Sequence, residues 1–184
     1  MAILIRTREG HPVFFRQHRV GRSGKPFLIW KFRTMKVGKQ GSLITVSGDS
    51  RITLTGKILR KWKLDELPQL LNVVSGTMSL VGPRPEISEF VDLENPEWQE
   101  ILTIRPGITD WATLRNFDEE QVLVTATDPE HHYKNHILPS KMKMSLHYVR
   151  NRSLREDLRI IWLTTLSLAQ LAISDWPRHI KQSR

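Results

Sequence analysis

The sequence predicts a mostly helical α/β fold that opens on a β-hairpin, and three observations carry this. Two β-favouring runs, Val13-Phe14-Phe15 and Phe27-Leu28-Ile29-Trp30, flank the turn-forming segment Gly21-Arg22-Ser23-Gly24-Lys25-Pro26. Beyond residue 50, apolar residues recur at helical spacing, as in Leu54, Ile58 and Leu59. The 184 residues, 39% hydrophobic and 26% charged, suit one compact domain with its own core.

Taken in order, Met1-Ala2-Ile3-Leu4-Ile5 is apolar but ends at Arg6 and Arg8, too short for a signal-peptide core. Residues 11–35 read as the hairpin. Residues 36–50, rich in Gly, Ser and Lys, read as a mobile loop. A helix is predicted over 53–62 and a second from Glu66 to Val74, with Asp65 as its N-cap, Pro68 in its first turn and Gly76 as its stop. The prolines of Met78-Ser79-Leu80-Val81-Gly82-Pro83-Arg84-Pro85 predict a stiff loop. Residues 87–103 and 138–149 read as helices, joined by an irregular stretch containing Arg105-Pro106-Gly107. A final helix covers about 154–173. The longest uncharged stretch, Ile160 to Ser174, holds Thr164, Thr165, Ser167 and Gln170 and falls short of the roughly 20 apolar residues a spanning helix needs.

The net charge is +9 and the pI about 10.2, which calls for a polyanionic partner: nucleic acid, an anionic membrane face or a phosphorylated small molecule. With no cysteine, disulfides and thiolate metal sites are excluded.

The chemistry concentrates in Lys63-Leu64-Asp65-Glu66-Leu67-Pro68-Gln69. By itself the acid pair reads as a helix cap and a first-turn acid. A carboxylate kept ionised at a helix start is also a competent nucleophile toward phosphorus. A second carboxylate beside it can hold Mg²⁺, which neutralises a diphosphate. Arg60 and Arg84, the latter fixed between two prolines, offer phosphate-gripping guanidinium groups, and Lys31 and Arg33 add charge next to aromatics. Either of the last two, taken alone, reads as a solvated surface cation.

Several strings resemble the bacterial sugar transferases, the monotopic polyprenyl-phosphate phosphoglycosyl transferases. They are Pro12-Val13-Phe14-Phe15-Arg16-Gln17, Arg19-Val20-Gly21, Gly24-Lys25-Pro26-Phe27, Lys31-Phe32-Arg33-Thr34-Met35, Leu59-Arg60-Lys61, Leu64 to Val73, Met78 to Glu86, and Arg105-Pro106-Gly107-Ile108-Thr109. They stand in the family's order, and weaker echoes reach Tyr148, Ser153 and Asp157. The resemblance implies that Asp65 attacks the β-phosphorus of a UDP-sugar, releases UMP and carries an aspartyl-phosphosugar. Polyprenyl (undecaprenyl) phosphate then takes the phosphosugar, which initiates a glycan such as an exopolysaccharide, capsule, O-antigen or glycoprotein glycan. It implies Mg²⁺ at Glu66, with Asp65 beside it as a further ligand, and substrate phosphates near Arg60 and Arg84, to which Arg33 and Lys31 add phosphate-binding charge. It implies a compact domain with peripheral helices facing the membrane, on the anionic cytoplasmic face of the inner membrane.

The chain departs from the family pattern in three places. Only eleven residues precede Pro12, so the usual N-terminal re-entrant membrane helix is expected to be lacking from the single 1–184 domain. Ser145-Leu146-His147-Tyr148 lacks an acid common there. Asp110 and Thr113 stand where Gly and Gln are common, in a region able to tune the sugar accepted. A non-catalytic membrane-associated scaffold of the same fold is the alternative function. A nucleic-acid binder lacks any supporting motif. His131, His132 and His136 read as a polar surface loop. The final helix reads either as packed on the core or as interfacial, with Trp176, Arg178, His179, Lys181 and Arg184 at lipid headgroups.

Overall fold

A computed structural model describes residues 1–38, 44–115 and 119–175, with side chains masked at 119–121 and 172–175; Trp176 and the basic tail lie outside the described residues. The fold is mostly helical with two small sheets, as the sequence predicts. Helix α1 (Ala2–Glu9) leads into the hairpin of β1 (Phe14–Val20) and β2 (Pro26–Phe32). The hairpin pairs antiparallel from Phe14 opposite Phe32 to Val20 opposite Pro26. Its tip, a short 3₁₀ turn, is pinned where the Ser23 N–H donates to the Leu102 carbonyl at 2.7 Å.

Next come α2 (Leu54–Lys61), α3 (Gln69–Val74), β3 (Ser79–Val81), α4 (Pro96–Ile101), β4 (Gly107–Thr109) and α5 (Trp111–Arg115). The chain continues through α6 (Glu119–Val124), α7 (Pro129–His132), α8 (Leu138–Asn151) and α9 (Leu154–Asp175). Strands β3 and β4 pair in parallel. Their approach is so close that a Cβ on Gly107 would stand 2.1 Å from the Gly82 backbone nitrogen, so only glycine fits.

The main core gathers Ile44, Trp98, Ile101, Leu123, Tyr133, Leu138 and Leu146; a second cluster joins Val81, Tyr148 and Ile160. The late echoes of the sequence pattern are structural here. The Tyr148 hydroxyl donates to Asp157 at 2.7 Å, locking α8 to α9, and burial beside that carboxylate pushes the phenol up. Ser153 accepts the Glu156 N–H at the start of α9. Helix α9 buries Ile160 and exposes Leu154, Leu158 and Trp162, so it is core-packed on one side and apolar toward solvent on another.

Four expectations are corrected. Asp65 does not cap a helix: it lies inside a 3₁₀ turn, Leu64–Glu66, and α3 starts at Gln69. Pro68 has no N–H for the Leu64 carbonyl, which accepts from Leu67 instead, and the segment runs on i→i+3 bonds up to Leu71. Residues 87–103 are not one helix. Asn95, extended because Pro96 follows it, caps a fresh start by accepting the Glu97 N–H at 2.8 Å. The described part of 36–50 is anchored, since Ile44 is buried in the core; residues 39–43 lie outside the described residues. The His131–His136 segment is helical rather than a loop. Asp128 caps α7, which runs into a π-helical turn, Tyr133–Ile137, that carries Tyr133 inward.

Candidate active site

Helix α2 ends in a turn where Lys63 takes a left-handed conformation, φ 52°, and its N–H closes on the Arg60 carbonyl. This reversal delivers Asp65 and Glu66 to the last residues of β2. Asn72 fixes the arrangement from α3: its Oδ1 accepts the Trp30 N–H at 3.0 Å and its Nδ2 donates to the Leu28 carbonyl at 2.8 Å. An asparagine side chain thus stands in for a neighbouring strand along the free edge of β2.

The result is a compact charge cluster. Glu66 accepts from the Lys31 ammonium at 2.8 Å, while the Arg84 guanidinium grips both of its oxygens, Nη1 donating at 3.1 Å and Nη2 through a shorter bond. Burial opposes the charge on Glu66, but Arg84 and Lys31 together hold its carboxyl well below the usual range. Lys31 is pushed down by burial, against the pull of Glu66. Asp65 is 6% exposed and is the counterpoint: burial pushes its carboxyl up, against the pull of Lys31, Arg60 and Lys63, with Glu66 adding to the rise. The sequence-level expectation of a carboxylate kept ionised by helix amides is therefore replaced by one whose ionisation depends on neighbouring cations.

Arg60 belongs to this neighbourhood and donates to the Thr34 hydroxyl at 3.4 Å. Arg33 is committed elsewhere: its Nη2 donates to the Glu9 and Gly10 carbonyls at 2.8 and 2.9 Å, bracing the end of α1. Lys31, Arg60, Asp65, Glu66 and Arg84 come together, and Arg33 stands apart in its bonding.

The loop that carries Arg84 is clamped along its length. The Pro83 carbonyl accepts the Gly107 N–H, the Pro85 carbonyl accepts from Arg19, and the Glu86 carbonyl accepts the Val20 N–H. Glu86 turns inward, accepting the Tyr133 hydroxyl at 2.6 Å, and the Lys141 ammonium donates to that same hydroxyl at 3.0 Å. Sequence reasoning missed Asn72, Tyr133 and Lys141 as supports. Only Asn72 carried a signal, being a polar residue inside an otherwise apolar Leu70 to Val74 run.

The bacterial sugar transferase family pattern matches residues 1–170. The chain belongs to that family. It is 37% identical over 162 residues to the uncharacterized sugar transferase EpsL of Bacillus subtilis (strain 168), covering 88% of this chain and 72% of that protein. It is 34% identical over 173 residues to the UDP-glucose:undecaprenyl-phosphate glucose-1-phosphate transferase of Escherichia coli (strain K12), 89% of this chain and 34% of the other. Over 168 residues it is 37% identical to the UDP-N-acetylgalactosamine-undecaprenyl-phosphate N-acetylgalactosaminephosphotransferase of Aeromonas hydrophila, 89% of this chain and 37% of the other. The chain therefore spans about a third of the last two relatives' length. The Asp65–Glu66 turn is where Lys31, Arg60 and Arg84 converge on two adjacent acids.

Proposed function

We propose that this chain transfers a phosphosugar from a UDP-sugar to polyprenyl phosphate, with Asp65 as the nucleophile. The observation that carries the reading is the placement of the buried Asp65 directly beside the Lys31–Glu66–Arg84 cluster and within reach of the charge of Arg60. A diphosphate brought to this place meets two guanidinium groups and an ammonium, the cation density that a leaving phosphate requires.

An ionised Asp65 oxygen attacks the β-phosphorus, the bond from that phosphorus to the bridging oxygen breaks, and UMP leaves with the electron pair. The phosphosugar rests on Asp65 as an acyl phosphate. An oxygen of polyprenyl phosphate then attacks the same phosphorus and Asp65 departs as a carboxylate, giving the polyprenyl-diphospho-sugar that initiates a glycan. Arg84, Lys31 and Arg60 hold the phosphates and balance the charge in both steps.

Mg²⁺ takes hard oxygen ligands, commonly one or two carboxylates plus substrate phosphates; Asp65 offers one carboxylate, and Glu66, which accepts from Lys31 and Arg84, would share its oxygens with the ion. Asp65 and Glu66 would hold it, and when bound it supplies charge neutralisation at the diphosphate.

The reading places the molecule on the anionic cytoplasmic face of the inner membrane. Among the described residues no helix is long and apolar enough to cross a bilayer. The exposed Leu54 and Ile58 of α2, and Leu67, Leu70, Leu71 and Val74 in and before α3, flank the turn that carries Asp65, with Lys57 and Lys61 interleaved.

The test is UMP release from a panel of UDP-sugars with Mg²⁺ and undecaprenyl phosphate in nanodiscs. Lipid-dependent release is expected for the native chain, with a loss of at least about a thousandfold for Asp65→Asn, since the nucleophile is gone. Equal release by the two proteins would reject the assignment.

A further inference from the structure

Arg84 sits in Pro83-Arg84-Pro85, where the prolines have no N–H, so its own amide is the one backbone donor in that tripeptide. That amide donates to Asp110 Oδ2 at 3.3 Å. The other oxygen, Oδ1, accepts the Thr113 N–H at 2.7 Å at the start of α5. Asp110 is 2% exposed and directly follows β4, the strand whose Thr109 carbonyl accepts the Gly82 N–H at the base of the Arg84 loop. One carboxylate thus ties the arginine-bearing loop to the first turn of α5, and each of its oxygens serves a different donor.

We propose that Asp110 is a positioning residue for Arg84, holding the guanidinium where it meets both Glu66 and the phosphates of the sugar donor. This deepens, and rests on, the phosphosugar-transfer reading. A carboxylate is the side chain the geometry demands. Two N–H donors approach from two elements, and each meets its own oxygen of the one carboxylate. Asparagine offers one oxygen and turns an NH₂ toward the other donor. Glycine offers neither, leaving the Arg84 amide without a side-chain acceptor. The phosphate grip depends on where the Arg84 Cα is held: Gly107 and Arg19 hold the carbonyls of Pro83 and Pro85, and Asp110 holds the Arg84 amide itself.

The role separates from simple helix capping. Asp110→Ser keeps a good N-cap for α5, but its single short oxygen cannot serve Thr113 and Arg84 together. Its thermal midpoint is expected within about 2 °C of the native chain. Its KM for the UDP-sugar in UMP release is expected to rise about tenfold, with kcat changed less. In an Arg84→Ala background the same substitution is expected to add nothing, because the residue acts through the arginine. Additive effects, or a native KM in Asp110→Ser, would overturn the proposal. Should Asp110→Ser not fold, Asp110→Asn, closer in shape, enters the same cycle with the same expectations. UDP binding by calorimetry repeats the cycle without turnover. Binding that shows the coupling while the native chain releases no UMP rejects the transferase reading and keeps the Asp110 role. Release without coupling does the reverse, and a native chain that neither binds UDP nor turns over rejects both.

Discussion

Two neighbouring carboxylates end with opposite electrostatics because their surroundings differ. At Glu66 the charges and hydrogen bonds of Arg84 and Lys31 together outweigh burial, while at Asp65 burial outweighs the pull of Lys31, Arg60 and Lys63. For Glu66 the folded value lies well below 4.5, so its stabilising contribution is present above pH 4.5 and lost as pH falls through the folded value. For Asp65 the folded value lies above 3.8, so its contribution is present below pH 3.8 and lost as pH rises through the folded value. At pH 7, Glu66→Gln is expected to be less stable than the native chain by roughly 2 kcal/mol, narrowing below pH 4.5. Asp65→Asn is expected to be more stable at pH 7 by about 1 kcal/mol, with the advantage shrinking toward pH 3.8. Urea unfolding of the three proteins between pH 3 and 8 reads both trends; curves parallel to the native one at every pH would refute the account. A buried acid that costs stability while its neighbour contributes it is the residue-level mark expected of the nucleophile proposed above.

At the scale of elements, placement of the acid pair depends on how α3 sits against β2. Asn72 supplies that register through its two bonds to the Trp30 amide and Leu28 carbonyl, and it also donates to the Thr77 hydroxyl at 3.2 Å. Removing the amide leaves a donor and an acceptor on a half-covered strand edge without their partner. Asn72→Ala is expected to cost about 2 kcal/mol in denaturant unfolding. It is also expected to weaken UDP binding by calorimetry, because Lys31 rides on β2 and Glu66 on the turn that leads into α3. An unchanged midpoint would show that hairpin packing alone sets the register. The same logic explains the helical turn at Tyr133. A π-helical residue points where an α-helical one would not, and here it reaches Glu86 beneath the Arg84 loop.

Over the whole molecule, the acid pair is flanked by the exposed apolar residues of α2 and α3, with Lys57 and Lys61 on the α2 side. Such a rim suits the lipid contact proposed above. Placing a charge at Ile58 and Leu71, both 55% exposed, makes no cavity in the core. The double variant Ile58→Glu, Leu71→Glu is therefore expected to keep its unfolding midpoint. Its binding to vesicles containing anionic phosphatidylglycerol is expected to fall about tenfold in a sedimentation assay. Undiminished binding would move the docking face to another part of the surface, with the exposed Leu154, Leu158 and Trp162 of α9 next in line.

What the sequence determined by itself was local and chemical. Alternating β-favouring runs around Gly21 to Pro26 marked the hairpin, helical spacing marked α2, α8 and α9, and the motif strings marked the family and the Asp65–Glu66 pair. These follow from interactions between residues close in the chain, which periodicity and turn chemistry record. The tertiary structure alone decided what each charged group meets. Arg33 and Lys31 lie two residues apart, yet one braces the end of α1 and the other holds Glu66. Asp110 and Arg84 are separated by 26 residues, and only the parallel pairing of β3 with β4 brings them together. The ionisation of a carboxyl depends on burial and on charges contributed from distant segments, and no pattern along one segment carries that information.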